Sequence, residues 1–155
     1  MTTSKALFVA IGLAERKRDA ASQFLAGALH RHGQACRQMD ELVSYATDTR
    51  QRWSIASRPQ TSPQIMGHSY QFIERLEQTI ALQRSVVVEL EGQCQAARNA
   101  LLQADVRLAG LQRLLDRQRG EQARTLARQE QRRTDEFAAR AYFAGTARVL
   151  HEDES

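Results

Sequence analysis

The side chains able to bind metal or attack a substrate are few. His30 and His32 stand two apart, and Cys36 and Cys94 are the only cysteines. A metal site needs several converging donors. Residues two apart on a helix point to different faces, and no cysteine or carboxylate set completes a coordination sphere, so solvated histidines are expected. The cysteines have neither metal-ligand spacing nor a secreted disulfide framework, so they are read as reduced thiols, with Cys94 a small core residue. The sequence has no glycine-rich phosphate loop, no nucleophile beside a base and no carboxylate pair set for acid–base work. No enzyme, metal or cofactor is expected.

Charge and aromatic residues are the remaining chemistry. The formal charge is +4, and Lys5 and Lys17 are the only lysines, so the basic character is carried by arginine. Arginine favours planar contacts with carboxylate or phosphate. The excess lies late, between Arg107 and Arg148, and Glu152, Asp153 and Glu154 partly offset it. Interleaved with Glu and Gln, such arginines read first as the solvated flank of a coiled coil, and second as a contact for an acidic protein surface or a nucleic acid. Aromatics make up only 6% of the chain, yet Tyr45, Trp53, Tyr70 and Phe72 gather in one region. They either cap the end of a core or form a contact patch.

The elements that must position these residues are helices. Eight glycines and two prolines in 155 residues, with Ala, Gln, Arg, Leu and Glu filling most positions, give the composition of long helices. Both prolines, Pro59 and Pro63, fall in Ser57–Pro63, where the chain must turn, because proline removes a backbone donor and restricts its predecessor. Before the turn, a 4,3,4,3 spacing selects Leu7, Ile11, Ala14, Arg18, Ala21, Leu25, Ala28, His32, Ala35, Met39, Leu42, Ala46, Thr49, Trp53 and Ala56. After it, the same spacing selects Ile73, Leu76, Ile80, Gln83, Val87, Leu90, Cys94, Ala97, Leu101, Ala104, Leu108, Leu111 and Leu115, with Gln83 the only polar member. A period of 3.5 sustained this far predicts a left-handed coiled coil.

The two seams test one another. An antiparallel hairpin folded about Thr61 places residue i beside residue 122 minus i, which sets Leu7 against Leu115, Ile11 against Leu111, Ala14 against Leu108, Leu25 against Ala97 and Leu42 against Ile80. Small residues meet large ones at several layers, as close helix approach requires. The fold class expected is therefore all-α: a long antiparallel two-helix coiled-coil hairpin, the second helix overhanging the first. The expected organisation of residues 1–155 is a helix over about 5–56, a Pro/Ser turn at 57–65, a helix over about 66–146 and an acidic tail at 147–155. Past Leu115 the seam turns polar, yet Leu126, Phe137, Ala138, Ala141 and Tyr142 still offer apolar surface of the kind that marks a partner site. No run approaches the roughly 20 apolar residues of a membrane span, and the stretch Ala6–Ala14 lacks the flanks and cleavage site of a signal peptide.

Five segments, in order, resemble the flagellar FliJ family. They are Leu13-Ala14-Glu15 through Ala20-Ala21, Cys36 to Tyr45 with Arg50 following, Tyr70-Gln71-Phe72-Ile73-Glu74-Arg75-Leu76-Glu77, Leu111-Gln112-Arg113-Leu114-Leu115-Asp116-Arg117-Gln118, and Asp135-Glu136-Phe137-Ala138-Ala139-Arg140-Ala141. The resemblance implies a cytoplasmic component of the flagellar type III export apparatus, peripheral at the inner face of the cell membrane and shaped like the coiled coil of the rotary ATPase gamma subunit. Such a stalk inserts into the hexameric export ATPase, links it to the cytoplasmic domain of the large export-gate protein and escorts export chaperones. The family's gate-binding surface would fall on Gln38, Leu42, Tyr45, Phe72 and Leu76, with departures from the family pattern at Thr49, Thr79 and Gln83. From basic charge and geometry, the opposite end of the hairpin, with Arg16, Arg18, Arg113, Arg117 and the overhang, is expected to meet the ATPase ring. Two other readings stand beside this one. The first is the virulence-secretion counterpart of the stalk, and the second is a basic coiled coil that binds nucleic acid, which interspersed acids disfavour.

Overall fold

The computed structural model describes residues 2–56 and 62–154. Two helices account for them: α1, Thr2–Ala56, and α2, Pro63–Glu152. No strand occurs among the described residues.

Both helices exceed the expected bounds, α2 for identifiable local reasons. The turn expected at 57–65 stops short of residue 65, because Pro63 opens α2. Ser62 caps it: its Oγ accepts from the Ile65 N–H at 3.4 Å, and its carbonyl accepts from Ile65 at 3.1 Å and Met66 at 3.2 Å. Proline suits the first helical position because its missing N–H would have no intrahelical partner there. The rest of the expected turn, residues 57–61, lies outside the described residues. At the other end, the segment expected as an acidic tail from 147 remains helical to Glu152, and the Asp153 N–H still reaches the Val149 carbonyl at 3.3 Å. Ala147-Arg148-Val149-Leu150 contains no breaker, and His151 in the last turn complements the helix dipole.

The helices pack as two units, one spanning residues 12–108 and one combining α1 up to Ile11 with α2 from Ala109. Within the first, the tightest cluster is Ala28, Cys94 and Ala97, with Leu25 packed against it. Here the 122-minus-i register places Cys94 opposite Ala28 and Ala97 opposite Leu25. The direction of pairing is antiparallel: moving toward the end of α1, Ala35 meets Gln83, then Arg50 meets Glu77 and Trp53 meets Phe72. Ala14, Ala35, Ala46, Thr49 and Leu108 complete the buried set among the described residues of this unit. Every one of these positions belongs to the two seams. Alanine at so many buried layers leaves a thin core, because the small side chain lets the backbones approach and little volume remains to fill.

In the second unit Leu7 and Ile11 are buried, and Leu111, Leu115 and Gln118 are half-buried. The Arg119 guanidinium lies over the Phe8 ring at 5.6 Å, a cation–π contact between the helices. From Arg119 to Glu154 every residue is exposed.

Candidate interaction surfaces

The grooves lined by described residues are shallow and open, so surfaces carry what chemistry these residues have. No group of three or more metal-ligating side chains occurs among the described residues. His30 is exposed, and His32 is half-buried with its Nε2 3.7 Å from the Cys36 sulfur. Both cysteines are free, Cys94 buried as a core residue and Cys36 half-buried.

The residues Gln38, Leu42, Tyr45, Phe72 and Leu76 all lie in the unit spanning 12–108, on the face where α1 and α2 meet. Gln38, Leu42 and Tyr45 follow at helical spacing on α1 and line one shallow groove with Glu41 and Gln83. Tyr45 meets Phe72 of α2 edge to face, ring centroids 6.3 Å apart at 77°. The 122-minus-i register puts Tyr45 within one residue of Leu76; its ring partner is Phe72, one turn earlier. Leu42 and Leu76 are half-buried in the seam, whereas Tyr45 is 53% and Phe72 41% exposed. Aromatic faces left open beside half-buried leucines are the composition of an interface centre.

Two further neighbours, the polar member of the seam and a member of the aromatic cluster, meet these residues. Gln83, which looked like a polar defect in an apolar seam, donates from Nε2 to the Ala35 carbonyl at 3.0 Å and to Gln38 Oε1 at 3.3 Å. It thereby ties the two helices and holds the Gln38 side chain. Trp53, read both as a seam position and as a member of the aromatic cluster, also meets Phe72, with centroids 5.8 Å apart and planes tilted 49°. Between Tyr45 and Trp53 on α1 sits Thr49, which is buried and turns its hydroxyl back to the Tyr45 carbonyl at 2.8 Å. Thr79, the third departure from the family pattern, bonds the Arg75 carbonyl at 2.9 Å. Tyr70, 68% exposed, stays outside the aromatic set. An ion pair between Arg50 and Glu77 links the helices in the same stretch.

The arginines divide between the units. Arg16 and Arg18 lie on α1 in the unit spanning 12–108, Arg113 and Arg117 on α2 in the other. Arg18 is bound by Asp19 at 2.9 and 3.1 Å. That hydrogen bond, with the charges of Asp19, Asp105 and Glu15, raises its pKa further above the ordinary arginine value. Arg16, Arg113 and Arg117 are exposed, the last two one turn apart on the same face of α2.

The exposed part of α2 carries a second apolar strip. Ala141, Tyr142, Gly145, Thr146, Val149 and Leu150 line a shallow, mostly apolar groove, and Tyr142 meets Phe143 edge to face at 6.1 Å. Leu126 and Phe137, 59% and 77% exposed, precede it.

The comparison with known proteins follows the same residues. A family model described as Flagellar FliJ protein matches residues 4–146, a span containing nearly all of both helices, the five segments quoted above and every residue of the Tyr45–Phe72 surface. No match was found among curated proteins or among solved structures. With 143 consecutive positions inside that one match, the chain belongs to the flagellar FliJ family.

Proposed function

We propose that this chain is a non-enzymatic stalk of the flagellar type III export apparatus, inserted into the hexameric export ATPase and linked to the cytoplasmic domain of the large export-gate protein. Family membership implies a flagellar export-related role. The stalk, its two contacts and the escort of export chaperones are the finer reading. It places the protein in the cytoplasm, peripheral at the inner face of the cell membrane; no described helix is long and apolar enough to cross a membrane.

The observation that carries the reading is the surface made jointly by α1 and α2. Tyr45 and Phe72 meet across the hairpin at 6.3 Å, each substantially exposed, with Gln38, Leu42 and Leu76 around them. A patch assembled from both helices exists only when the hairpin is zipped, so gate binding would report on a folded stalk. The exposed arginines Arg16, Arg113 and Arg117 and the bound Arg18 suit the acidic side chains of a partner ring. The flagellar match also supports this role over the virulence counterpart.

The test is a paired capture assay with the export ATPase and the gate's cytoplasmic domain. The combined Tyr45→Ala and Phe72→Ala variant is expected to keep ATPase capture and lose gate capture. Loss of neither would remove this surface from the reading. A nucleic-acid coiled coil would instead retain duplex DNA with an affinity falling steeply with salt.

A further inference from the structure

Trp53 is the natural end of the aromatic surface, and its position has a consequence that the Tyr45–Phe72 pair alone does not. Phe72 projects from α2 between two aromatic residues of α1, edge-on to Tyr45 at 6.3 Å and tilted against Trp53 at 5.8 Å. The α1 residue between those two, Thr49, is small, buried and bonded to its own helix at the Tyr45 carbonyl. Phe72 therefore joins Tyr45 and Trp53 into one continuous set of three rings. Core capping accounts for only part of this arrangement, because Trp53 remains half-buried rather than buried and Phe72 keeps 41% of its surface exposed. Beside the rings runs the Arg50–Glu77 pair, with side chains 50% and 55% exposed. Aromatic rings at the centre and an exposed ion pair at the side form the centre-and-rim pattern of a protein interface, where tryptophan, tyrosine and arginine dominate the energetics.

Resting on the gate-binding reading above, we infer that Trp53 is itself a contact for the gate's cytoplasmic domain, extending the docking surface beyond Tyr45 along α1. The surface then runs from Gln38 through Leu42 and Tyr45 to Trp53, about four helical turns, with Phe72 and Leu76 supplied by α2. The partner segment it fits is apolar or aromatic at its centre and can meet Arg50 and Glu77 at its edge. Phe72 acts twice, touching the partner and holding the Trp53 ring.

The experiment uses the full-length chain and the gate's cytoplasmic domain. Trp53→Ala is expected to weaken binding by about tenfold or more, as loss of an interface tryptophan does, while Trp53→Phe retains most of the affinity. ATPase capture and helix content should match the wild type. A direct readout is available because Trp53 is the only tryptophan. Labelled with 5-fluorotryptophan, the wild-type chain gives one fluorine resonance, which should shift and broaden when the gate domain is added. A Trp53→Ala variant that binds as tightly as wild type overturns the inference. If that variant loses its helical signal, the fluorine resonance decides: a shift supports the contact and an unmoved line overturns it. Retained binding by Trp53→Ala, with loss in the Tyr45→Ala and Phe72→Ala variant, removes Trp53 alone. Absence of any binding by the wild-type chain removes the gate reading and this inference together.

Discussion

Truncating two leucines six residues apart on α2 should separate seam from surface in a single measurement. Leu108 is 4% exposed, and the register sets it against Ala14, itself buried at 4% exposure; Leu102 is 62% exposed. Leu→Ala removes three carbons, and at about 0.8 kcal/mol per buried carbon the transfer term for Leu108 is about 2.3 kcal/mol. The single methyl of Ala14 cannot swing into the gap, so a cavity term adds to it, and the total expected is about 3 kcal/mol. For Leu102 only about two-fifths of the side chain is covered, giving about 0.9 kcal/mol, and the higher helix propensity of alanine returns part of that. Urea unfolding of full-length Leu108→Ala and Leu102→Ala, followed by circular dichroism at the helical band, gives both numbers. Equal losses for the two variants, or a loss under about 1 kcal/mol at Leu108, would refute the assignment of Leu108 to a packed layer against a small partner.

Three further outcomes follow from the same geometry. Gln83→Leu replaces the seam's amide with an apolar chain of similar size, and the Ala35 carbonyl keeps its place in the α1 ladder, so unfolding free energy should rise by up to about 1 kcal/mol; a clear loss would mean the Gln83 bonds outweigh packing. A disulfide reagent added to the native protein should consume the half-buried Cys36 thiol quickly and the 2%-exposed Cys94 only as the hairpin opens, a contrast read by comparing Cys36→Ser with wild type. Reversing Arg113 and Arg117 together to Glu should abolish ATPase capture while changing stability by less than about 0.5 kcal/mol, because both side chains are exposed. Raising salt should weaken the wild-type capture in parallel, and full capture by the reversed variant would move the ATPase contact elsewhere.

The seam is legible in the sequence. Each buried residue, from Leu7 through Ala28 and Ala35 to Cys94 and Leu108, stands at a position picked out by the 4,3,4,3 spacing. A coiled coil repeats one local geometry, so periodicity alone specifies which side of each helix turns inward. Register was also legible, because alanine in one seam answers a larger residue in the other. The helix ends were less so. Pro63 carries two opposed meanings, turn former and first helical residue, and the Ser62 cap decides between them through a hydrogen bond that composition does not reveal. Past residue 147 the acids suggested a tail, but helix continues wherever no breaker interrupts it.

What the amino-acid sequence determined by itself was thus the architecture: two helices, their inward faces and their antiparallel pairing, all consequences of a repeating pattern of apolar side chains. The tertiary structure alone decided which side chains meet on the outside of that pattern. Whether Phe72 touches Tyr45, Leu42 or Trp53 depends on rotamers and on offsets of a few residues between helices, and the seam repeat is indifferent to both. The same holds for Gln83, whose long amide reaches past its own layer to Ala35 and Gln38. Side-chain reach across a thin core, rather than periodicity, makes the surface on which this protein is proposed to act.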